Sequence, residues 1–134
     1  MAARAPKRVL NNKTIVAAGT GDTDLTFVRG AKEIYFVFSS SVASEAFAAA
    51  SAFQLLVVPI EGMAETGLSV ATAAKHELVV TNVAQLNSAG TDDGVIIGVF
   101  PANGVAISAY KIGARLTAGG ADITDCDVDI VIID

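Results

Sequence analysis

Cysteine is almost missing from this chain. Cys126 is the only one in 134 residues, which excludes an internal disulfide framework and a thiolate metal site. Tryptophan is absent, and histidine occurs once, at His76. Any serine nucleophile would therefore depend on that one imidazole as its base. No run reaches the ~18 apolar residues that a membrane-spanning helix needs. The basic stretch "MAARAPKRVLNNKT" has no apolar segment after it, so a secretory signal is not expected. The expected product is soluble and made in a cytoplasm. Charged residues are also scarce, at 17% against 52% hydrophobic, so a sizeable core needs no staples. Ala, Val, Ile, Gly, Ser and Thr fill the composition and suit tightly packed sheets. The length fits one domain.

The few charges are unevenly placed. Arg4, Lys7, Arg8 and Lys13 give residues 1–13 a charge of +4, whereas residues 14–134 set five basic groups against all fourteen acids, or −9. A body that acidic repels nucleic acid and anionic membranes, so neither is an expected partner. The basic segment, residues 1–13, reads as an extended N-terminal arm closed by the polar "NNK". It reaches roughly 40 Å at about 3.3 Å per residue, and an acidic protein neighbour is its simplest use. Chain ends are also often loose.

Residues 14–134 read as a β-rich domain. "TIVAA" precedes the turn "GTGD", and "TDLTFV" alternates, with Leu25 and Phe27 expected on one side. "RGAK" turns the chain into "EIYFVFSS", a strong strand of aromatic and β-branched residues. "SVASEAFAAASAF" breaks the rhythm. Ser41 or Ser44 is placed to cap a short alanine-rich helix over about 42–52. "QLLVVPI", "LSVATAA", "HELVVTNV" and "VIIGVF" are further strands, the first with Pro59 near its end, where a missing amide is tolerated. Asn103-Gly104 tolerates the positive φ of a tight turn, so "VIIGVF" and "VAISAYKIGARL" are expected to pair as a hairpin. About eight short strands and one small helix predict a single-domain, mainly antiparallel all-β sandwich, jelly-roll-like fold or barrel.

Chemistry is hard to find. In "DITDCDVDIVIID", a strand's period of two puts Asp125, Asp127 and Asp129 on one face and Cys126, Val128, Ile130 and Ile132 on the other. Carboxylates roughly 6.5–7 Å apart along a straight strand do not converge on an ion as a curled calcium loop does. The expectation is a solvated or interface-facing strand face, with no metal and no cofactor. Glu61, Glu65, Asp92 and Asp93 fall in loops with no sign of the contrasting environments that acid–base pairs need. "GLSVA" lacks the strand–turn–helix setting of a nucleophile elbow. "GTGDTD" lacks the Lys-Ser/Thr ending of a phosphate loop. No catalytic residue is expected, and the chain reads as non-enzymatic.

"GLSVATAAKHELVVTNVAQLNSAGTDDGVIIGVF", followed by "GVAISAYKIGARL", resembles the head decoration proteins of lambdoid tailed phages. The matching residues are Asp93, Gly94, Gly98, Val99, Lys111 and Gly113, and the likeness covers about a third of the chain. The first 60 residues depart from it, so a jelly-roll-like cement protein fits equally well. The resemblance implies a virion structural protein on the outside of a capsid shell, stabilising it. Its partners would be the major capsid protein and other copies of itself, with a trimer favoured and a dimer possible. It also implies shell contact through the N-terminal arm. Arg4, Lys7 and Arg8 would dock electrostatically, and Pro6, Val9 and Leu10 would make apolar contacts. Asp125, Asp127 and Asp129 form a second expected partner surface, for a neighbour's arm. A carbohydrate- or receptor-binding β module of a virion fibre or tail is the alternative.

Overall fold

The computed structural model describes residues 2–40, 52–58, 68–70, 78–80, 95–101 and 104–134. Among these, ten strands form: β1 (Lys7–Ile15), β2 (Thr20–Asp22), β3 (Thr26–Phe27), β4 (Glu33–Ser40), β5 (Ala52–Val58), β6 (Leu68–Val70), β7 (Leu78–Val80), β8 (Val95–Pro101), β9 (Lys111–Thr117) and β10 (Ile123–Ile133). One sheet runs β1-β10-β4-β8-β7. The other runs β2-β9-β5-β6, with β3 also pairing β9. The pairings within both sheets are antiparallel. The expected all-β, antiparallel fold is therefore the observed one, as a sandwich of two sheets.

Alternation builds the core. On β4, Ile34, Phe36 and Phe38 are fully buried, and Tyr35 and Val37 between them are half-buried. Ile97 and Val99 of β8 and Val128, Ile130 and Ile132 of β10 point the same way. Phe53, Leu55 and Val57 of β5 and Ile112, Ala114 and Leu116 of β9 meet them from the other sheet in one cluster. Each large side chain buried this way contributes about 1.5–3 kcal/mol relative to exposure. The Phe36, Phe38 and Phe53 rings pack in sequence, tilted against one another, at centroid distances of 6.1 and 5.8 Å.

Three sequence expectations meet a different arrangement. Residues 7–13, read as part of an arm, lie in β1, which runs on to Ile15 and pairs with β10, so the boundary drawn at residue 13 falls inside a strand. The expected hairpin at Asn103-Gly104 does not form. Gly104 turns with φ 77° and its amide reaches the Pro101 carbonyl at 3.3 Å, but β8 pairs β4 and β7 while β9 pairs β5, β2 and β3. The chain crosses between sheets there, and Asn103 lies outside the described residues.

In "TDLTFV" the expected alternation breaks: Thr23, Thr26 and Val28 are buried, and Phe27 is 46% exposed. Thr23 causes this. Its backbone amide pairs with Ala114, and its hydroxyl accepts the Ala114 amide at 2.9 Å while donating to the Asp24 carbonyl. A side chain thus replaces one ladder bond and resets the alternation before β3. The helix expected over 42–52 falls outside the described residues, save Ala52, which opens β5.

Candidate interaction surface

The outer face of β1 and β10 is built from charge pairs that the register brings together. Arg8 lies opposite Asp129, and its guanidinium forks onto both carboxylate oxygens of Asp129 while also reaching Asp127 at 3.0 Å. The Asp129 hydrogen bond, more than Coulomb attraction, raises the Arg8 pKa further above its ordinary value. Such a bidentate pair fixes geometry as well as charge.

The pairing is interrupted by register shifts between Arg8 and Leu10, Leu10 and Lys13, and Lys13 and Ile15. Asn12 and Asp125 carry the matching positive φ values, 49° and 50°. A bulge of this kind leaves ladder amides without a strand partner. Asp127 Oδ1 accepts the Asn12 amide at 2.7 Å, and beyond the strand Asp122 Oδ1 accepts the Ala17 amide at 2.7 Å. At the bulge of β10 the Asp125 amide faces Thr14 Oγ1 at 3.4 Å, a length at the weak limit of hydrogen bonding.

The sequence expectation for this face therefore divides. Asp125, Asp127 and Asp129 do point away from the core, while Cys126, Val128, Ile130 and Ile132 are buried. The basic segment does meet the acidic strand, but Arg8, Asp127 and Asp129 pair within one chain. Val9 is buried in the chain's own core and Leu10 packs against it, so these two expected docking contacts are already used internally. Pro6, Lys7 and Arg8 remain exposed along the edge.

Arg4 is fixed separately. Its guanidinium forks onto Asp134 at 2.6 and 2.8 Å and donates to the Phe27 carbonyl at 2.8 Å. That contact joins the segment before β1 to the other sheet. The Arg4 hydrogen bond to Asp134 itself holds the Asp134 carboxyl below its ordinary value. A third forked pair, Arg115 on Asp22 at 2.7 and 2.9 Å, crosses β9 and β2. The pair's separation in sequence hides it from any reading of spacing.

A second patch was not legible in the sequence. Phe27 packs edge-on against Tyr110, with centroids 5.5 Å apart and planes at 78°. The Arg29 guanidinium and the Lys111 ammonium each lie 5.5 Å from the Tyr110 ring centre. Arg29 is exposed. Phe27 follows directly on the register change beside Thr23, which no local sequence pattern marks.

Among the described residues no group of three or more His, Cys, Asp or Glu is placed to hold a metal ion, and no helix is long and apolar enough to cross a membrane. His76, Glu61, Glu65, Asp92, Asp93 and the "GLSVA" serine lie outside the residues whose side chains are described. No protein-family model and no curated protein matches the chain. One solved structure it is similar to is the crystal structure of SPBc2 prophage-derived protein YomS. Identity is 13% over 98% of this chain and 96% of that one, with a TM-score of 0.46, too slight a likeness to carry an argument.

Proposed function

We propose that this chain is a non-enzymatic virion structural protein, a capsid decoration or cement protein that binds the outer surface of a phage shell, stabilises it and associates with copies of itself. The observation that carries the reading is the outer face of β1 and β10. There Pro6, just before the edge strand β1, and Lys7 and Arg8 within it lie exposed beside the Asp125, Asp127 and Asp129 row. Mixed charge on a rigid strand pair suits a protein surface that offers both signs, and sets orientation more than affinity. The resemblance of residues 67–100 and 104–116 to head decoration proteins supports the same reading.

Deleting the N-terminal residues is a poor test, because it removes β1 and uncovers Val128 and Ile130. Charge reversal at Lys7, which is exposed, leaves the sandwich intact. Purified protein added back to undecorated shells should bind and raise their heat resistance, and Lys7→Glu should weaken binding. Shells that gain neither protein nor heat resistance would sink the reading. A carbohydrate- or receptor-binding module is a second reading, favoured by the half-exposed Phe27 ring next to Tyr110. A glycan-array hit lost in Phe27→Ala would promote it.

A further inference from the structure

The two ends of the sandwich carry complementary surfaces. At one end β1, β4 and β9 begin, and Phe27 lies opposite Lys111. The exposed Phe27 ring sits there with Tyr110 and the exposed Arg29 guanidinium. The backbone beneath is held by the Val28 amide on the Tyr110 carbonyl and by Arg4 on the Phe27 carbonyl. At the opposite end, beyond the Ile15–Ile123 pair, the chain turns through Val16–Gly19. Val16 is 62% exposed. Its turn is fixed by the Gly19 amide on the Val16 carbonyl and by the Ala17 amide on Asp122, whose carboxylate is itself exposed.

We propose that copies of this chain associate head to tail, with Phe27, Arg29 and Tyr110 of one copy seated on Val16 and Asp122 of the next. Among the described residues, one side offers the exposed Phe27 ring with the cations Arg29 and Lys111, and the other the exposed Val16 with the Asp122 carboxylate, so the signs are opposite. Aromatic residues and arginine dominate the centres of protein interfaces. Arg29 already lies over a ring, so less side-chain freedom is lost when it meets a carboxylate. Like ends do not fit one another, since two Arg29 groups or two Asp122 groups would repel. The contact is therefore heterologous, and repetition closes a ring or extends an open chain. Two cations over one Tyr110 ring compete with a sugar for that ring, so a protein surface suits the patch better than a glycan does. This contact deepens the self-association in the shell-binding reading and rests on it.

Sedimentation velocity of the full chain over a wide concentration range, at low and high salt, tests the contact. Mass should rise with concentration and fall with salt. Arg29→Glu and Asp122→Arg should each weaken association about tenfold or more, and the double variant should recover much of the loss. Val16→Ser, in an exposed turn, should weaken it without touching any charge. Circular dichroism identifies any variant that fails to fold. A single-copy mass at every concentration, or association unchanged in both Arg29→Glu and Val16→Ser, would overturn the proposal. So would a glycan hit lost in Phe27→Ala with the chain still a single copy. Add-back to shells separates the two readings. Variants that stay single yet still bind shells keep the shell reading and confirm this contact. Intact association without shell binding sinks only the shell reading.

Discussion

At the scale of single residues, Cys126 and Gly113 show how little room the sandwich leaves. Cys126 is fully buried, and burial, with a smaller push from Asp127, raises its thiol from an ordinary 9.0 to about 12. A folded-state value above the unfolded one means that the folded chain holds this proton more tightly. The associated stability is whole below pH 9 and drains away as pH rises towards 12, by up to about 1.4 kcal/mol per pH unit. Chemical denaturation between pH 8 and about 11 should show that loss, and Cys126→Ala should flatten it. A variant as alkali-sensitive as the parent would refute the assignment. Gly113 is buried in β9, and an added Cβ would lie 2.9 Å from Leu25, 3.0 Å from Thr23 Oγ1 and 3.2 Å from the Asp24 carbonyl. Leu25 can yield, but a carbonyl tied into the backbone cannot, so Gly113→Ala should cost about 1–3 kcal/mol in denaturant titration. The glycine that contributed to the family resemblance thus has a local reason to be there, which is the close crossing of residues 23–25 over β9.

At the scale of elements, β1 and β10 decide what the acidic run means. The alternation of "CDVDIVII" was legible because a strand face is fixed by parity alone, and the burial of Cys126, Val128, Ile130 and Ile132 follows it. The partner of that face was not legible, because Arg8 and Asp129 are joined only by a pairing register that no local pattern encodes. The Asn103-Gly104 turn misled for a related reason: turn chemistry specifies a reversal, not which sheet receives the next strand. For Arg8 with Asp129, a double-mutant cycle of Arg8→Ala and Asp129→Ala should give a coupling of about 0.5–1 kcal/mol that shrinks in salt, as expected for a solvent-exposed pair. A coupling near zero at low salt would mean that the fork does not hold β1 in solution. The bulges and charged side chains on this strand also make it a poor template for another chain's edge.

At the scale of the whole molecule, most pairings join segments far apart in sequence: β1 with β10, β2 with β9, β4 with both β10 and β8. Closing such loops must precede most of the stabilising contacts, so folding should be slow for a chain of this size, in the range of milliseconds to seconds. Stopped-flow refolding checks this, and a microsecond relaxation would contradict the topology. The composition made the fold class legible, because scarce charge and abundant β-branched residues leave few alternatives to packed sheets. Strand order stayed hidden, since it depends on which inward faces fit one another.

Ala2 and Asp134 lie side by side, the Asp134 amide donating to the Ala2 carbonyl at 2.9 Å, with β1 and β10 running antiparallel away from them. Tension applied between those two points would pull directly along the ladder bonds, and would break them one after another, as a zip opens. The sandwich is thus mechanically soft for a load carried along its own chain. It should withstand much more when force runs parallel to the strands, where whole ladders must shear at once.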